Sequence, residues 1–599
     1  MMGKNNTLHK IMFGFRKAFS MLPSPKDRIK VYMLWVACLF NYAILMSQPI
    51  LQKWITDGAA SLLTSNHDCS LLIVSLIIML ITIMISYYMR KYMNAWSNNV
   101  SAIISDSISS ELMKKSVRLK YSYFENDNTF NEMSSVSSNI PQKIANLLTW
   151  STVPPILGGI ISLIFTAVTL CFINPMIAIM VSIGNILSIY FYGKRVKDNY
   201  FLKKEQIPQV RLANSYASTL TSRKNQKEVK MFKSHGYFLS KWERYSNEMA
   251  IKKIVFAMKY TSIQFLTDLI AITFKIGALG FCLYLIINDQ TSIGSFVLVY
   301  GTINVFDSYM SDISKAFINL GENGRYIEEW INYMNLDEEC SDDTCEEIYD
   351  SKVVFEHVSF KYPRTEKYVL KDIDITINPG EHIAIVGENG SGKSTFISLI
   401  MGMYDDYEGE LYVGGISPRI NARCIRKGIS CLFQDFNSYE LTIADNVRIG
   451  DINSFVTDEQ IHSALLDVEV EDIVSRSKSG IYTAIGNLHK GISDLSGGQW
   501  QKIAIARTLI KSKAKIMILD EPTAALDPGS ESKIYKEFLN RQRNRTTILV
   551  SHRLGATTQA DRILVFDEGR IIEDGTHDEL MNLNGKYREM YDAQSEWYK

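Results

Sequence analysis

Between Ala145 and Gly193 the chain runs without one charged side chain. So long an uncharged run suits a bilayer interior, and two membrane-spanning helices of about twenty residues each would fill it. Asn174-Pro175 interrupts the run near its middle. Proline and the residue before it disfavour continuous helix, so a turn between two spans is expected there. Val31 to Gln52 and Ser70 to Met89 are also uncharged and long enough to cross. Ile254–Ile287 and Thr291–Asp312 are apolar but carry charges, and they complete an expected set of six spans.

Basic residues set the expected orientation. The first thirty residues hold seven Lys and Arg (Lys4, Lys10, Arg16, Lys17, Lys26, Arg28, Lys30) against a single acid, Asp27. Segments 90–143 and 194–259 are likewise basic, whereas 53–69 and 288–290 carry one lysine between them. Short loops rich in Lys and Arg stay in the cytoplasm, which puts both termini there and the protein in the cell membrane. The two internal excursions are too long to be structureless. They read as helical, for example over Val100–Val117 and Gln206–Thr221, with turns expected near Tyr121–Phe130 and Arg223–Phe232.

A chain of 599 residues exceeds what one core supports. The expected division is a cytoplasmic segment over 1–28, a six-helix membrane domain over 29–325, an acidic, solvated linker over 326–350 and an α/β domain over 351–599. Lys+Arg and Asp+Glu balance at 64 each, which argues against a nucleic-acid partner and leaves the lipid bilayer as the expected large surface. The cysteines lack metal-ligand spacing. Four of them (Cys340, Cys345, Cys424, Cys431) fall in the half expected in the cytosol, where thiols stay reduced.

From Val353 onward, short β-rich runs alternate with helical patterns (Val353–Phe360, His382–Val386, Ser430–Phe433, Ile516–Leu519, Thr547–Val550, Arg562–Phe566). That order predicts an α/β domain with a largely parallel sheet. An apolar strand ending at Val386 leads into Gly387-Glu388-Asn389-Gly390-Ser391-Gly392-Lys393-Ser394-Thr395, and a helical pattern follows. This is a phosphate-binding P-loop. Its glycines let backbone N–H groups approach phosphate oxygens at a helix N-terminus, Lys393 neutralises phosphate charge, and Ser394 can hold Mg²⁺. The apolar strand Ile516–Leu519 ends in Asp520-Glu521. Asp520 can reach Mg²⁺, and Glu521 can polarise an attacking water. The expected cofactors are therefore ATP and Mg²⁺.

Taken with Leu495-Ser496-Gly497-Gly498-Gln499, these residues resemble the ABC transporter family, whose signature that tract matches. The second half is similar to an ABC nucleotide-binding domain, and the first half resembles the six-helix exporter-type membrane domain. The resemblance implies that Tyr362 stacks on adenine, Gln434 is the Q-loop glutamine at Mg²⁺, Asp527 is the D-loop aspartate and His552 senses the γ-phosphate. In that family two nucleotide-binding domains close head to tail. Ser496 and Gly498 of one subunit then meet the phosphate held by Lys393 of the other. One P-loop and six spans make half a transporter, so a second copy in a C2 homodimer is expected, with a heterodimer as the alternative. Intact Glu521 and His552 imply ATPase activity.

Within the family, Phe433-Gln434-Asp435-Phe436, Tyr439–Ile443, Gly497-Gly498-Gln499-Trp500 and Ala524-Ala525-Leu526-Asp527-Pro528 resemble lantibiotic-type peptide exporters. General drug and lipid exporters, the alternative, more often carry arginine where Trp500 stands. Gly486–Gly491 departs from the usual exporter loop, which has a glutamate. The expected cargo is a peptide, modified or bacteriocin-like. A leader-trimming peptidase domain is not expected ahead of a first span near Val31.

Two charges sit deep in the expected spans. At 1.5 Å per residue, Lys275 lies about 18 Å below Ile287 and Asp307 about 24 Å below Thr291. Such charges face a wet cavity or a partner. Both are therefore candidates to line the translocation cavity, against the alternative of a structural ion pair.

Overall fold

The computed structural model describes residues 16, 19–20, 24–63, 70–125, 140–149, 152–339, 348–363, 365–475, 479–486, 495–521, 545–551 and 554–596. The chain separates into two compact units, one of Met1–Val117 with Asn131–Leu336, the other of Arg118–Phe130 with Asp337–Lys599.

Among the described residues the first unit is helical. Its helices are α1 (Pro25–Leu63), α2 (Ser70–Arg118), α3 (Val153–Ile173), α4 (Pro175–Thr221), α5 (Arg223–Met231), α6 (His235–Ile287) and α7 (Ile293–Met334). Among the described residues, four stretches are long and apolar enough to cross a membrane: Pro25–Leu62, Leu72–Arg118, Ile140–Ile173 and His235–Ile287. α4 and α7 begin where the fourth and sixth spans are expected. The expected turn sits at Asn174, whose side chain accepts from the Met176 N–H at 2.9 Å, with Pro175 opening α4. Proline there costs no hydrogen bond, because the first N–H groups of a helix have no partner in it. The 53 residues of α6 reach about 80 Å, far beyond a hydrocarbon core of about 30 Å. α5 is a short helix where the second internal turn is expected.

Leu76, Leu80, Ile83 and Met84 of α2 are exposed, an apolar surface of the kind a bilayer covers. Inside the unit, α3, α4, α6 and α7 close on Leu170, Ile177, Val181, Cys282, Leu285 and Val299. α3 meets its neighbours closely through two glycines. A Cβ on Gly158 would lie 2.6 Å from the Tyr42 ring, and one on Gly159 would overlap Ile313.

Among its described residues the second unit has the expected largely parallel sheet and, besides it, a smaller antiparallel one. β1 (Val353–Phe360) lies between β2 (Leu370–Ile377) and β4 (Glu408–Val413) in an antiparallel sheet. The other sheet has the order β5-β6-β7-β3-β8-β9, from β3 (His382–Gly387), β5 (Ile429–Leu432), β6 (Ile516–Asp520), β7 (Thr546–Val550), β8 (Arg562–Asp567) and β9 (Arg570–Gly575). Only β9 runs antiparallel in it. Between the sheets lies one core, with Phe355, Phe360, Ile385, Phe396, Ile397 and Phe566. A second core gathers the helical part around Ile443, Ile461, Leu465, Trp500 and Ile503.

The acidic linker is not simply solvated. Glu328 to Met334 complete α7, Glu338 bridges to Leu119, and Glu339 forms an ion pair with Arg426 at 15% side-chain exposure. Acid-rich composition reads as solvent-facing, yet two fixed basic and backbone partners hold these carboxylate-bearing residues in place. Cys424 is disulfide-bonded, which departs from the expectation that it stays reduced. Proximity in space is not visible in cysteine spacing.

Candidate nucleotide site

The loop between β3 and helix α8 (Lys393–Ile400) has the backbone an anion cradle needs. Gly387 has φ +150° and Gly392 φ +111°. A Cβ on Gly387 would overlap the Phe566 carbonyl oxygen, and one on Gly392 would lie 2.9 Å from Leu370 Cδ2. Both positions therefore require glycine on conformation and on space. Lys393 is buried, and its Nζ donates to the Gly387 and Glu388 carbonyls, each at 2.8 Å. The ammonium folds back over the loop. Burial holds its pKa below the usual lysine range, opposed by the charges of Glu521 and Asp520. Ser391 is buried, and its hydroxyl has no hydrogen-bond partner among the described residues. A buried donor left unpaired is costly, and a phosphate oxygen would satisfy it. With Lys393 beside it, the loop fits a nucleotide phosphate.

Asp520 ends β6, and Glu521 follows it. Desolvation pushes the Asp520 carboxyl up to about 6, Glu521 adding to the rise and Lys393 opposing it. Glu521 has φ +46°, a left-handed conformation uncommon for a non-glycine residue, of the kind that clusters at functional sites. The Gln434 Nε2 donates to Glu521 Oε2 at 2.7 Å. Its amide oxygen then remains as its acceptor for a cation. Ser394, which is exposed, Gln434 and Asp520 make an all-oxygen donor set with one carboxylate. That suits Mg²⁺, which takes one or two carboxylates and fills its other positions with phosphate and water. Among the described residues no cluster of three or more His, Cys, Asp or Glu could cage a metal by itself.

Tyr362 donates to or accepts from Thr395 Oγ1 at 2.8 Å, and its ring lies 5.2 Å from Phe360 and 5.7 Å from Tyr404. Tyr404 was not among the expected site residues. Its ring is also 5.9 Å from Tyr121, and its hydroxyl bonds Glu125, which raises the Tyr404 pKa on top of the effect of burial. Lys120 pairs with Asp405 at 2.8 Å. The described part of the first internal turn, through Glu125, is thus held against the same corner as Tyr362; residues 126–130 lie outside the described set.

The signature tract opens helix α9 (Gly497–Leu509). Ser496 Oγ accepts from Gln499 N at 3.3 Å, and Gln499 Oε1 accepts from Ser496 N at 2.9 Å, a reciprocal cap. Ser496 and Gly497 are exposed, Gly498 is half-buried, and Trp500 anchors the helix in the second core. The P-loop helix belongs to the first core, so one chain carries the two tracts on separate bodies of side chains. Sequence reading also missed Arg507. It donates to the Asn446 and Asn437 carbonyls and to Asn446 Oδ1, and it lies over the Tyr439 ring at 4.6 Å, tying α9 to the segment after Gln434. Asp527, His552 and residues 487–491 lie outside the described residues.

In the first unit, Lys275 Nζ donates to both carboxylate oxygens of Asp307, at 2.7 and 2.8 Å. The Lys275 side chain is 15% exposed and that of Asp307 43%.

Residues 31–308 match the model of the ABC transporter transmembrane region, and residues 370–524 that of the ABC transporter ATP-binding family. Together the two matches span well over half of the chain. The chain belongs to the ABC transporters. It is 28% identical to the subtilin transport ATP-binding protein SpaT of Bacillus subtilis over 82% of this chain and 80% of that protein. Identity to the nisin transport ATP-binding protein NisT of Lactococcus lactis is also 28%, over 81% of each. The ABC multidrug transporter MDR2 of Trichophyton rubrum is 40% identical, but over only 43% of this chain and 19% of its own length. A solved bacterial Atm1-family ABC exporter with ATP bound superposes with a TM-score of 0.82 at 21% identity, covering 95% of this chain and 98% of that one. The protein is therefore an ABC exporter of half-transporter fold, embedded in the membrane, with an ATP-binding domain coupled to transport.

Proposed function

We propose that this exporter carries a peptide of the lantibiotic kind out of the cytoplasm, hydrolysing ATP as a homodimer. What favours peptide cargo is the extent of the likeness. Proteins named for subtilin and nisin transport resemble this chain across four-fifths of its length, whereas the multidrug relative does so over less than half. Both termini and the nucleotide-binding domain are cytoplasmic in this reading, from the basic internal segments.

The Gly387–Thr395 loop holds the phosphates, with Lys393 leaving its two carbonyls to meet them and Ser391 gaining its missing acceptor. Mg²⁺, held by Ser394, Gln434 and Asp520, would neutralise phosphate charge. Glu521 polarises the attacking water, oriented by Gln434, and His552 and Asp527 complete the site. Ser496, Gly497, Gly498 and Gln499 of a second copy close over the nucleotide, offering N–H groups and a helix N-terminus to the γ-phosphate. Closure must favour one conformation of the membrane helices to do transport work. The segment Arg118–Glu125, continuous with α2, carries it to the spans.

Peptides released by cells expressing the native chain, compared with Lys393→Ala, test the reading. A defined peptide should disappear from the medium in the variant. An unchanged peptide profile with altered drug sensitivity would replace it with a drug exporter.

A further inference from the structure

The phosphate loop contains one acid, Glu388. Its backbone belongs to the cradle, because its carbonyl accepts from Lys393 Nζ at 2.8 Å and from the Ser391 N–H at 3.2 Å. Its side chain is 66% exposed. Oriented N–H groups, a lysine and a helix N-terminus all attract a polyphosphate, whereas a carboxylate beside them repels it. The loop works against itself unless that charge is cancelled.

The cancelling charge comes from the far end of the same unit. Lys586 Nζ lies 2.8 Å from Glu388 Oε1. Lys586 opens helix α10 (Lys586–Glu596), and contacts on both sides fix its place. Glu573 of β9 accepts from the Lys586 and Tyr587 N–H groups, the second at 3.0 Å, and so caps the helix with a carboxylate. Gly585 leaves room for that carboxylate, since a Cβ there would overlap Glu573 Oε1. Tyr587 is fully buried against Ala384 and Val386 of β3 and Ile563 and Val565 of β8. The strand that feeds the loop thus carries the helix whose first residue reaches Glu388. Asp567 and Glu589 add negative charge around Lys586, but its hydrogen bond goes to Glu388. That bond holds the Glu388 carboxyl below the usual carboxylate range, so the acid stays ionised.

We infer that Lys586 is a positioning residue for nucleotide binding, which holds the Glu388 carboxylate and cancels its repulsion of the incoming phosphates. An ion pair this exposed adds little to stability, so tethering α10 is a weak reason for it. Every cargo needs ATP at this loop, so the role stands whatever the protein exports. Its effect must scale with ligand charge. At about 10 Å in water, one uncancelled carboxylate weakens binding about fourfold for a ligand with two net negative charges, as in MgATP. For a single net charge, as in MgADP, the same sum gives about twofold. Both effects fade at high ionic strength, where the Debye length falls well below that distance.

Calorimetry on the full-length protein in lipid nanodiscs tests this, with Mg²⁺ and either ADP or AMP-PNP, a non-hydrolysable analogue of ATP. At about 0.01 M salt, Lys586→Gln should raise Kd about fourfold for AMP-PNP and about twofold for ADP. Lys586→Arg keeps the charge and should bind both as the native chain does. Glu388→Gln alone should bind AMP-PNP more tightly than the native chain, because Lys586 is then unopposed. Glu388→Gln/Lys586→Gln should return to native affinity, and at about 0.5 M salt all differences should shrink toward none. Equal weakening of both nucleotides that survives high salt, or no rescue in the double variant, would make Lys586 a structural prop and overturn the inference. Native AMP-PNP affinity in Lys586→Gln at low salt would overturn it too. Should Lys586→Gln fold poorly, Glu388→Gln alone decides the case. A tightening larger for AMP-PNP than for ADP supports the role, and no tightening rules it out.

Discussion

Tyr404→Phe should loosen the grip of the nucleotide-binding unit on residues 118–125 while leaving ATP affinity unchanged. The substitution keeps the ring, and with it the contacts to Phe360 at 4.9 Å, Tyr362 at 5.7 Å and Tyr121 at 5.9 Å. Only the hydroxyl bond to Glu125 is lost. Glu125 is exposed, so water replaces the bond on its side, and the net loss is that of an ordinary hydrogen bond, about 1 kcal/mol. The remaining anchors hold the segment in place: Lys120–Asp405 at 2.8 Å, the Leu119–Glu338 bridge, and the Glu339 N–H on the Arg118 carbonyl at 2.8 Å. With 1.4 kcal/mol per factor of ten, local opening should become about fivefold more frequent. Hydrogen exchange reads this directly at two amides, Tyr123 N–H on the Lys120 carbonyl and Phe124 N–H on that of Tyr121. Tyr121→Leu should add a comparable acceleration, since an aromatic pair is worth about 0.5–1.5 kcal/mol. Glu125→Gln combined with Tyr404→Phe should cost less than the two changes summed, because both remove the same bond. Unaltered exchange in Tyr404→Phe, or strict additivity with Glu125→Gln, would refute the argument.

Glu521→Gln should still bind ATP but lose steady-state hydrolysis by at least about a hundredfold, the scale of a lost general base; near-native turnover would remove Glu521 from its role. Asp520 titrates near 6, so protons compete with Mg²⁺ below that pH. The Mg²⁺ concentration for half-maximal ATPase should rise about tenfold per pH unit below 6 and level off above 7; in metal-free protein the same raised pKa contributes stability at low pH that is lost as pH climbs from about 4 to 6. Gly450→Ala would drive a methyl into the Arg507 carbonyl oxygen and Ile510, and should lower the unfolding midpoint by the equivalent of about 1–3 kcal/mol. Lys275→Met should lower the midpoint by stranding Asp307, and adding Asp307→Asn should restore it; no rescue would mean the pair does not act as a unit.

Much of this was legible because it rests on local patterns. Uncharged runs mark spans, Asn174-Pro175 marks a turn by steric exclusion, and the P-loop spacing marks an anion site that the φ values of Gly387 and Gly392 then require. What was hidden depends on partners far away in sequence. β2 alternates Leu370, Ile373, Ile375 and Ile377 with polar residues, but a half-buried strand does not announce an antiparallel sheet of its own. Glu339 looked solvated until Arg426 was found beside it, 87 residues away. Tyr404 carries no motif. Its place follows only from the packing of Phe360, Tyr362 and Tyr121 around it.

That hub has a consequence for coupling. The tyrosine expected to face adenine, Tyr362, touches Tyr404 on one side and the P-loop helix on the other through Thr395. Tyr404 in turn touches residues 121 and 125, which continue the chain of α2. A nucleotide that draws the Tyr362 ring onto its base must therefore repack Tyr404 or carry it along. Either response shifts the surface on which Tyr121 and Glu125 rest. Cores as dense as this one have discrete packings and do not deform continuously. Occupancy of the adenine site is thus expected to change the exchange rates of Tyr123 and Phe124, and to do so less in Tyr404→Leu, where the ring that joins the two contacts is gone.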